Sequence, residues 1–287
     1  MTIGPHGQSG LVTADQPSRV AIVTGGGRGL GQAFALGLAE RGDRVAAVSR
    51  SGDGLRETER LASEAPGSIV GIQCDVSDYR AVADLQLQVA ERLGPASILV
   101  NAAGIFGPIA LVRDADPEHW QRTIMVDAVA AFYTANAFVG DMIDAGWGRI
   151  VNVTSAASLH PPGPINSAYG TAKAALNQLT RHLAAEVAGS GVTANVIHPG
   201  DVKTAMWADI RDRVAGLGSV AENYVSWADW VERTGGDPPE KAVALVLHLT
   251  SEAGGSTNGE FCWIDDPLQE PVASWDPPSD DRPWMDD

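Results

Sequence analysis

A chain of 287 residues, 44% hydrophobic and 20% charged, is long enough to bury the core of one large domain or two small ones. Its 36 acidic against 20 basic residues leave a net charge of −16, which argues against nucleic acid or an anionic membrane as partner. Two cysteines, Cys74 and Cys262, give no disulfide framework and favour a reducing compartment, the cytoplasm by default.

Residues 1–18 lack the pattern of a signal peptide and read as a flexible extension, and no apolar run reaches membrane-spanning length. Residues 19–24 (RVAIVT) are predicted as the first strand, followed by a glycine-rich turn that opens a helix to about residue 41. Strands are predicted at 44–49, 68–74 and 97–100, then a long helical region over 117–145 and a fifth strand at 149–153. A helix carrying Tyr169 and Lys173 runs to about residue 188, and a sixth strand spans 192–197. Residues 201–237, with Trp207, Trp227 and Trp230, are too long for a plain connection; a helix over 238–250 and a strand at 260–264 follow. Short β-branched runs alternating with helices are the signature of a parallel α/β sheet. From residue 265 onward eight acids against one arginine hold −7 of the charge, while Trp275 and Trp284 suggest that parts of this tail dock.

Glycines between a first strand and a first helix let the backbone approach a pyrophosphate, whose charge the helix N-terminus complements. The spacing is Gly25-x-x-x-Gly29-x-Gly31, with Thr24, Gly27, Arg28 and Leu30 between and before. An acid at the end of the second strand would select a ribose 2′-OH, but the chain places Ser49 and Arg50 there. With Arg28 inside the glycine turn, two guanidiniums favour NADP(H) over NAD(H), unless both arginines are solvated and Asp53 serves the ribose. Asp75, beside Val76, either accepts from the adenine amino group or caps a strand end.

Tyr169 and Lys173 stand at i and i+4, one face of a helix, where an ammonium lowers the proton affinity of a phenol and suits it to proton exchange. Ser155 precedes them in the run Val151-Asn-Val-Thr-Ser155. Six histidines show no metal-ligand spacing, so no metal is expected; His160 and His198 lie in loops near the presumed pocket.

Together with the turn of Asn101, Ala102, Ala103 and Gly104 and the run Pro199-Gly200-x-x-x-Thr204, these motifs resemble the short-chain dehydrogenase/reductase family over residues 19–265. The resemblance implies a single-domain Rossmann fold with a doubly wound, seven-stranded parallel sheet, and a homodimer or homotetramer. It implies Tyr169 as the general acid/base, Lys173 as the residue tuning it and binding the nicotinamide ribose, and Ser155 as the group polarising the substrate carbonyl. Residues 101–104 would support the adenosine side of the cofactor; Pro199, Gly200, Val202 and Thr204 would hold its nicotinamide end. Residues 201–237 would cover the substrate, with Trp207 the best pocket candidate, and residues 266–287 would form an appended extension.

Three departures stand out. Ser155 and Tyr169 are 14 apart, one more than the family expectation, and the last strand runs into Trp263-Ile264-Asp265-Asp266-Pro267 in place of Asp-Gly-Gly. A Val-Asn pair on the long helix is here Val126-Asp127, which puts a carboxylate where it could pair with Lys173, directly or through water. The expected activity is interconversion of a ketone or aldehyde with an alcohol, with Ser155, Tyr169, Lys173 and Asp127 as catalytic set. The alternatives are an NAD-linked alcohol dehydrogenase and a non-catalytic NADP(H)-sensing regulator.

Overall fold

Strands buried on both faces read as near-continuous apolar runs, and all five residues of β1 (Val20–Thr24) and all seven of β6 (Val192–His198) are buried. In the computed structural model, which describes residues 18–159 and 163–264, seven parallel strands lie in the order β3-β2-β1-β4-β5-β6-β7. The others are β2 (Arg44–Ser49), β3 (Ser68–Gln73), β4 (Ile98–Asn101), β5 (Gly148–Val153) and β7 (Phe261–Trp263). The chain reverses its direction of winding between β1 and β4, which opens a crevice at the C-terminal strand ends.

One face is covered by α1 (Gly29–Glu40), α2 (Gly52–Leu61) and α9 (Pro239–Leu249), packed around Phe34, Leu38, Leu55 and Val246. The other carries α3 (Tyr79–Arg92), α5 (Ala130–Asp144) and α6 (Ser167–Glu186), packed around Leu85, Phe138, Met142 and Leu183. The fold is therefore a single-domain, Rossmann-type doubly wound sheet, as the motifs implied. Residues 201–237 contain α7 (Ala205–Val214) and α8 (Glu222–Thr234). His160 and the tail from residue 265, with Asp265, Asp266 and Pro267 of the departure from Asp-Gly-Gly, lie outside the described residues, as do residues 1–17 of the N-terminal extension.

The long helical region differs from an uninterrupted helix. Between α4 (Pro117–Ile124) and α5 the residues Met125–Val129 form one π turn, which turns Asp127 into the protein. Contrary to the sequence expectation, Pro117–Asp144 is long and apolar enough to cross a membrane by length and composition; half of its window is buried, as in a core helix, against the sheet, α3 and α6.

A buried polar chain ties this helix to the sheet. Thr134 Oγ1 donates to Asn101 Oδ1 (2.8 Å), Asn101 Nδ2 to Asn152 Oδ1 (2.9 Å) and Asn152 Nδ2 to Thr180 Oγ1 (2.8 Å), and Thr180 closes on the Leu176 carbonyl. Each side chain has its partners, so the network fixes the placement of α5 and α6 on β4 and β5 without leaving an orphan. Cys74 follows β3 and Cys262 lies on β7; both are buried and free, and burial foremost pushes their thiols up to about 11 and about 12.

Candidate active site

Backbone proximity governs the glycine turn. Gly25 has φ +72°, and a Cβ there would sit 2.9 Å from the Ala102 carbonyl oxygen; a Cβ on Gly31 would sit 2.3 Å from the Gly25 carbonyl oxygen. Thr24 Oγ1 accepts from the N–H groups of Ala102 and Ala103, both at 3.1 Å, so the turn after β1 holds the turn after β4. The N-terminus of α1 has no side-chain cap and no acid in its first turn, which leaves its N–H groups and dipole available to an anion. Arg28 and Arg50 are exposed beside this cradle, and Ser49 Oγ bonds the Ser51 backbone. Asp53, the alternative ribose acceptor, pairs with Arg56 within α2.

Asp75 is already engaged: Oδ1 accepts from the Ser77 N–H and hydroxyl, and Oδ2 pairs with Arg122 at 3.2 Å. Burial pushes its carboxyl up, but these contacts outweigh that and leave it below the usual carboxylate range. Its neighbour Val76 is buried. The side chain of Asn101 belongs to the polar chain behind the sheet, so only its backbone faces the turn.

Lys173 and Tyr169 lie one turn apart on α6, with Lys173 Nζ 5.4 Å from the Tyr169 ring centroid. Lys173 Nζ donates to the Val153 carbonyl (3.0 Å) and lies 3.1 Å from Asp127 Oδ2; both charged groups are buried. This ion pair lacks hydrogen-bond alignment at Oδ2, while Asp127 Oδ1 accepts from the Ile105 N–H at 2.8 Å. Of the direct and water-linked pairings the sequence allowed, the direct one occurs. A Cβ on Gly104 would come within 3.0 Å of Asp127 Oδ2, so the glycine leaves the room the carboxylate occupies.

The proton affinities follow from burial and these charges. Burial pulls the Lys173 ammonium down, but Asp127 and Tyr169 outweigh it and hold the lysine above its ordinary value. Burial lifts the Asp127 carboxyl, against the pull of Lys173 and the Ile105 N–H. For Tyr169 the net direction is upward, opposite to that expected from Lys173 alone: burial dominates and the Asp127 charge adds to it, while Lys173 and the hydrogen-bonding hydroxyl of Ser155 pull down. Ser155 caps a short turn, its Oγ accepting from the Ala157 N–H at 3.2 Å. His198, at the end of β6, accepts from the Ala156 N–H at 3.3 Å and so helps to set the Ser155 loop.

An apolar cluster stands against Tyr169. Phe106, Ile165, Ile210, Val214 and Ala221 are its buried members; Met206, Tyr224 and Trp227 pack on it from the 201–237 segment. The Phe106 ring lies 4.9 Å from that of Tyr169 and 5.8 Å from that of Tyr224. Sequence reasoning singled out neither Phe106, Ile165 nor Tyr224; the aromatic pair at i and i+3, Tyr224 and Trp227, was the available signal. Trp207, the favoured pocket residue, is buried, with the Lys203 ammonium 5.0 Å and the Arg211 guanidinium 4.9 Å from its ring centroid. Thr204 caps α7 by accepting from the Trp207 N–H. Pro199 is buried, Val202 bridges Gly236, and Gly200 precedes an Asp201 N–H bound to Asp237.

Residues 19–215 match the short chain dehydrogenase family. The chain is 35% identical to the short-chain reductase protein NovJ of Streptomyces niveus, over 86% of this chain and 92% of that protein. Its fold is similar to that of actinorhodin polyketide ketoreductase with NADPH (TM-score 0.78, 27% identity, 86% and 95% of the two chains). It is similar also to NAD+-bound xylitol dehydrogenase (TM-score 0.77, 28% identity, 86% and 97%). A glycine turn whose main chain packs too closely to admit a Cβ and an uncapped helix N-terminus fit a dinucleotide, and the chain belongs to the short-chain dehydrogenase/reductase family, enzymes that interconvert carbonyl and alcohol with a nicotinamide cofactor.

Proposed function

We propose that this enzyme is an NADP(H)-dependent carbonyl reductase of the cytoplasm in which Tyr169 is the general acid/base. The observation that carries this is the convergence of Tyr169, Lys173 and Ser155 at the strand ends beside the glycine cradle. The cofactor supplies a hydride to the carbonyl carbon. The chain contributes the rest: Ser155 donates to the carbonyl oxygen, and Tyr169 Oη gives that oxygen its proton as the alcohol forms. Lys173 favours the phenolate left behind, and Asp127 keeps Lys173 charged. Oxidation of the alcohol runs the same proton path in reverse, from substrate hydroxyl to Tyr169.

Gly25, Gly27, Gly29, Leu30 and Gly31 cradle the pyrophosphate in this proposal, and Arg28 and Arg50 receive the 2′-phosphate. The absence of a carboxylate at the end of β2 supports NADP(H), whereas the NAD+-bound neighbour keeps an NAD-linked dehydrogenase as the second reading. Asp75 and Val76 border the adenine, residues 101–104 back the adenosine, and Pro199 to Thr204 hold the nicotinamide end. Residues 201–237 cover the substrate, within a catalytic domain of residues 19–265. The exposed apolar side chains Leu87, Phe132 and Ile143 on α3 and α5 support a homodimer or homotetramer.

Comparing KM for NADPH and NADH in the wild type and in Arg50→Asp tests the assignment. The expected result is a preference for NADPH that falls about 10-fold or more in the variant, with NADH little changed. A wild type that prefers NADH overturns it in favour of the NAD-linked enzyme.

A further inference from the structure

The wall in front of Tyr169 has an unusual uniformity for a site that must recognise a polar molecule. Four separate segments contribute to it: Phe106 after β4, Ile165 before α6, Met206 and Ile210 on α7, Tyr224 and Trp227 on α8. None of these side chains bears a charge, and the two indole or phenol groups are the only polar atoms on them. The nearby cations are turned to other work. Lys203 and Arg211 pair with Glu232 at 3.2 and 3.4 Å, and Arg213 pairs with Asp209 at 3.0 Å, all on the exposed side of the segment.

Ile165 adds a second, independent observation. Its φ is +70°, the one non-glycine residue among those described with a left-handed backbone, and its side chain is buried in this wall. A β-branched residue pays for that conformation in steric strain, and such strain collects at functional sites. The Ala110 N–H donates to the Ile165 carbonyl at 3.2 Å, which helps to hold the strained residue in place. Tyr224 completes the arrangement from α8: its ring meets that of Phe106 edge-on, at 80°, and Phe106 in turn lies against the ring of Tyr169.

We infer that the substrate of this enzyme is an uncharged ketone bearing a ring, chosen by an aromatic and aliphatic wall in which Phe106, Ile165 and Tyr224 close over Tyr169. This rests on the carbonyl-reductase assignment and sharpens it. A flat or alicyclic ring packs against the aromatic and aliphatic surface of such a wall. A polyhydroxylated substrate would leave its hydroxyls unpaired against this wall, at about 10²-fold for one hydroxyl and more for several. Among the described residues, none of the side chains named in this wall offers a carboxylate or phosphate a countercharge. With a reduced nicotinamide bound, the carbonyl carbon would gain its hydride and the carbonyl oxygen the Tyr169 proton, giving a secondary alcohol and the oxidised cofactor.

The test compares kcat/KM of the wild type, with whichever nicotinamide it prefers, for acetophenone, cyclohexanone, fructose and pyruvate. The ring ketones are expected to lead fructose and pyruvate by about 10³-fold or more. Tyr224→Ala is expected to raise KM for acetophenone about 10-fold, with kcat changed less than KM and butanone affected less than threefold. Turnover of fructose or pyruvate at least equal to that of the ring ketones overturns the inference and leaves the carbonyl-reductase assignment standing. Equal losses for acetophenone and butanone in Tyr224→Ala overturn the role of the wall. Cofactor that binds without oxidation by any of these carbonyls overturns both.

Discussion

The end of this cleft proposed for the cofactor and the end proposed for the substrate are built from different materials. At the cofactor end the shape comes from backbone: Gly25 and Gly31 bring main chain within contact of main chain, and Thr24 ties the β1 turn to the β4 turn. At the substrate end the shape comes from side chains of four distant segments packed around Phe106 and Tyr169. Between them lies a buried charged pair, Asp127 and Lys173, that belongs to neither. A backbone site accepts almost no change in volume, whereas a side-chain site can be repacked, which is how one scaffold serves many substrates.

Tyr169→Phe attacks the chemistry that both ends serve and carries the largest expected effect. It should lower kcat by about 10³-fold while cofactor affinity, measured by fluorescence titration, stays within a few-fold. Residual activity above a tenth of wild type would sink the acid/base assignment. Gly31→Ala comes next and tests the cofactor end. The added Cβ meets a carbonyl oxygen that has nowhere to go, so a loss of about 1–3 kcal/mol in thermal or denaturant stability is expected, with much weaker cofactor binding. Gly29→Ala is its control: φ is +57° but nothing lies within 4 Å of the new Cβ, so only the strain of about 1–2 kcal/mol remains. Equal effects of the two substitutions would show that close backbone approach is not what the cradle depends on.

Asp127→Asn carries the smallest effect on rate and the most specific one on pH. The Asp127 charge raises the proton affinity of both Tyr169 and Lys173. Reduction needs both protonated, so removing that charge moves the alkaline limb of the kcat profile to lower pH, whichever group titrates first. A fall of about 10-fold or less in kcat at the optimum is expected. An unmoved alkaline limb would reduce Asp127 to a near-isosteric replacement.

The same division explains what the sequence made legible. The glycine turn, the seven strands and the Tyr169–Lys173 pair are local patterns, so their positions were readable within a residue or so at most ends. Asp127 was visible as a departure, but it lies in a π turn that helical periodicity does not announce, and its direct contact with Lys173 was one of two pairings the sequence left open. Ile165 and Phe106 gave no signal and Tyr224 only its spacing to Trp227, since the meeting of the three depends on tertiary packing between segments far apart in sequence. Trp207 was chosen for its size and position; the two cations over its ring, Lys203 and Arg211, were not legible beforehand.

The two cysteines allow the sheet to be timed from both edges. Cys74 sits just beyond β3 and Cys262 on β7, the outermost strands, roughly 30 Å apart at the usual strand spacing. With the thiols held protonated and out of solvent, alkylation by iodoacetamide can proceed only through opening of the adjoining strand. Mass-resolved labelling of each cysteine therefore gives two clocks in one molecule, one at the sheet edge proposed to border adenosine and one beside the segment proposed to cover the substrate. Cofactor is expected to slow the first, and a bound ketone to slow the second.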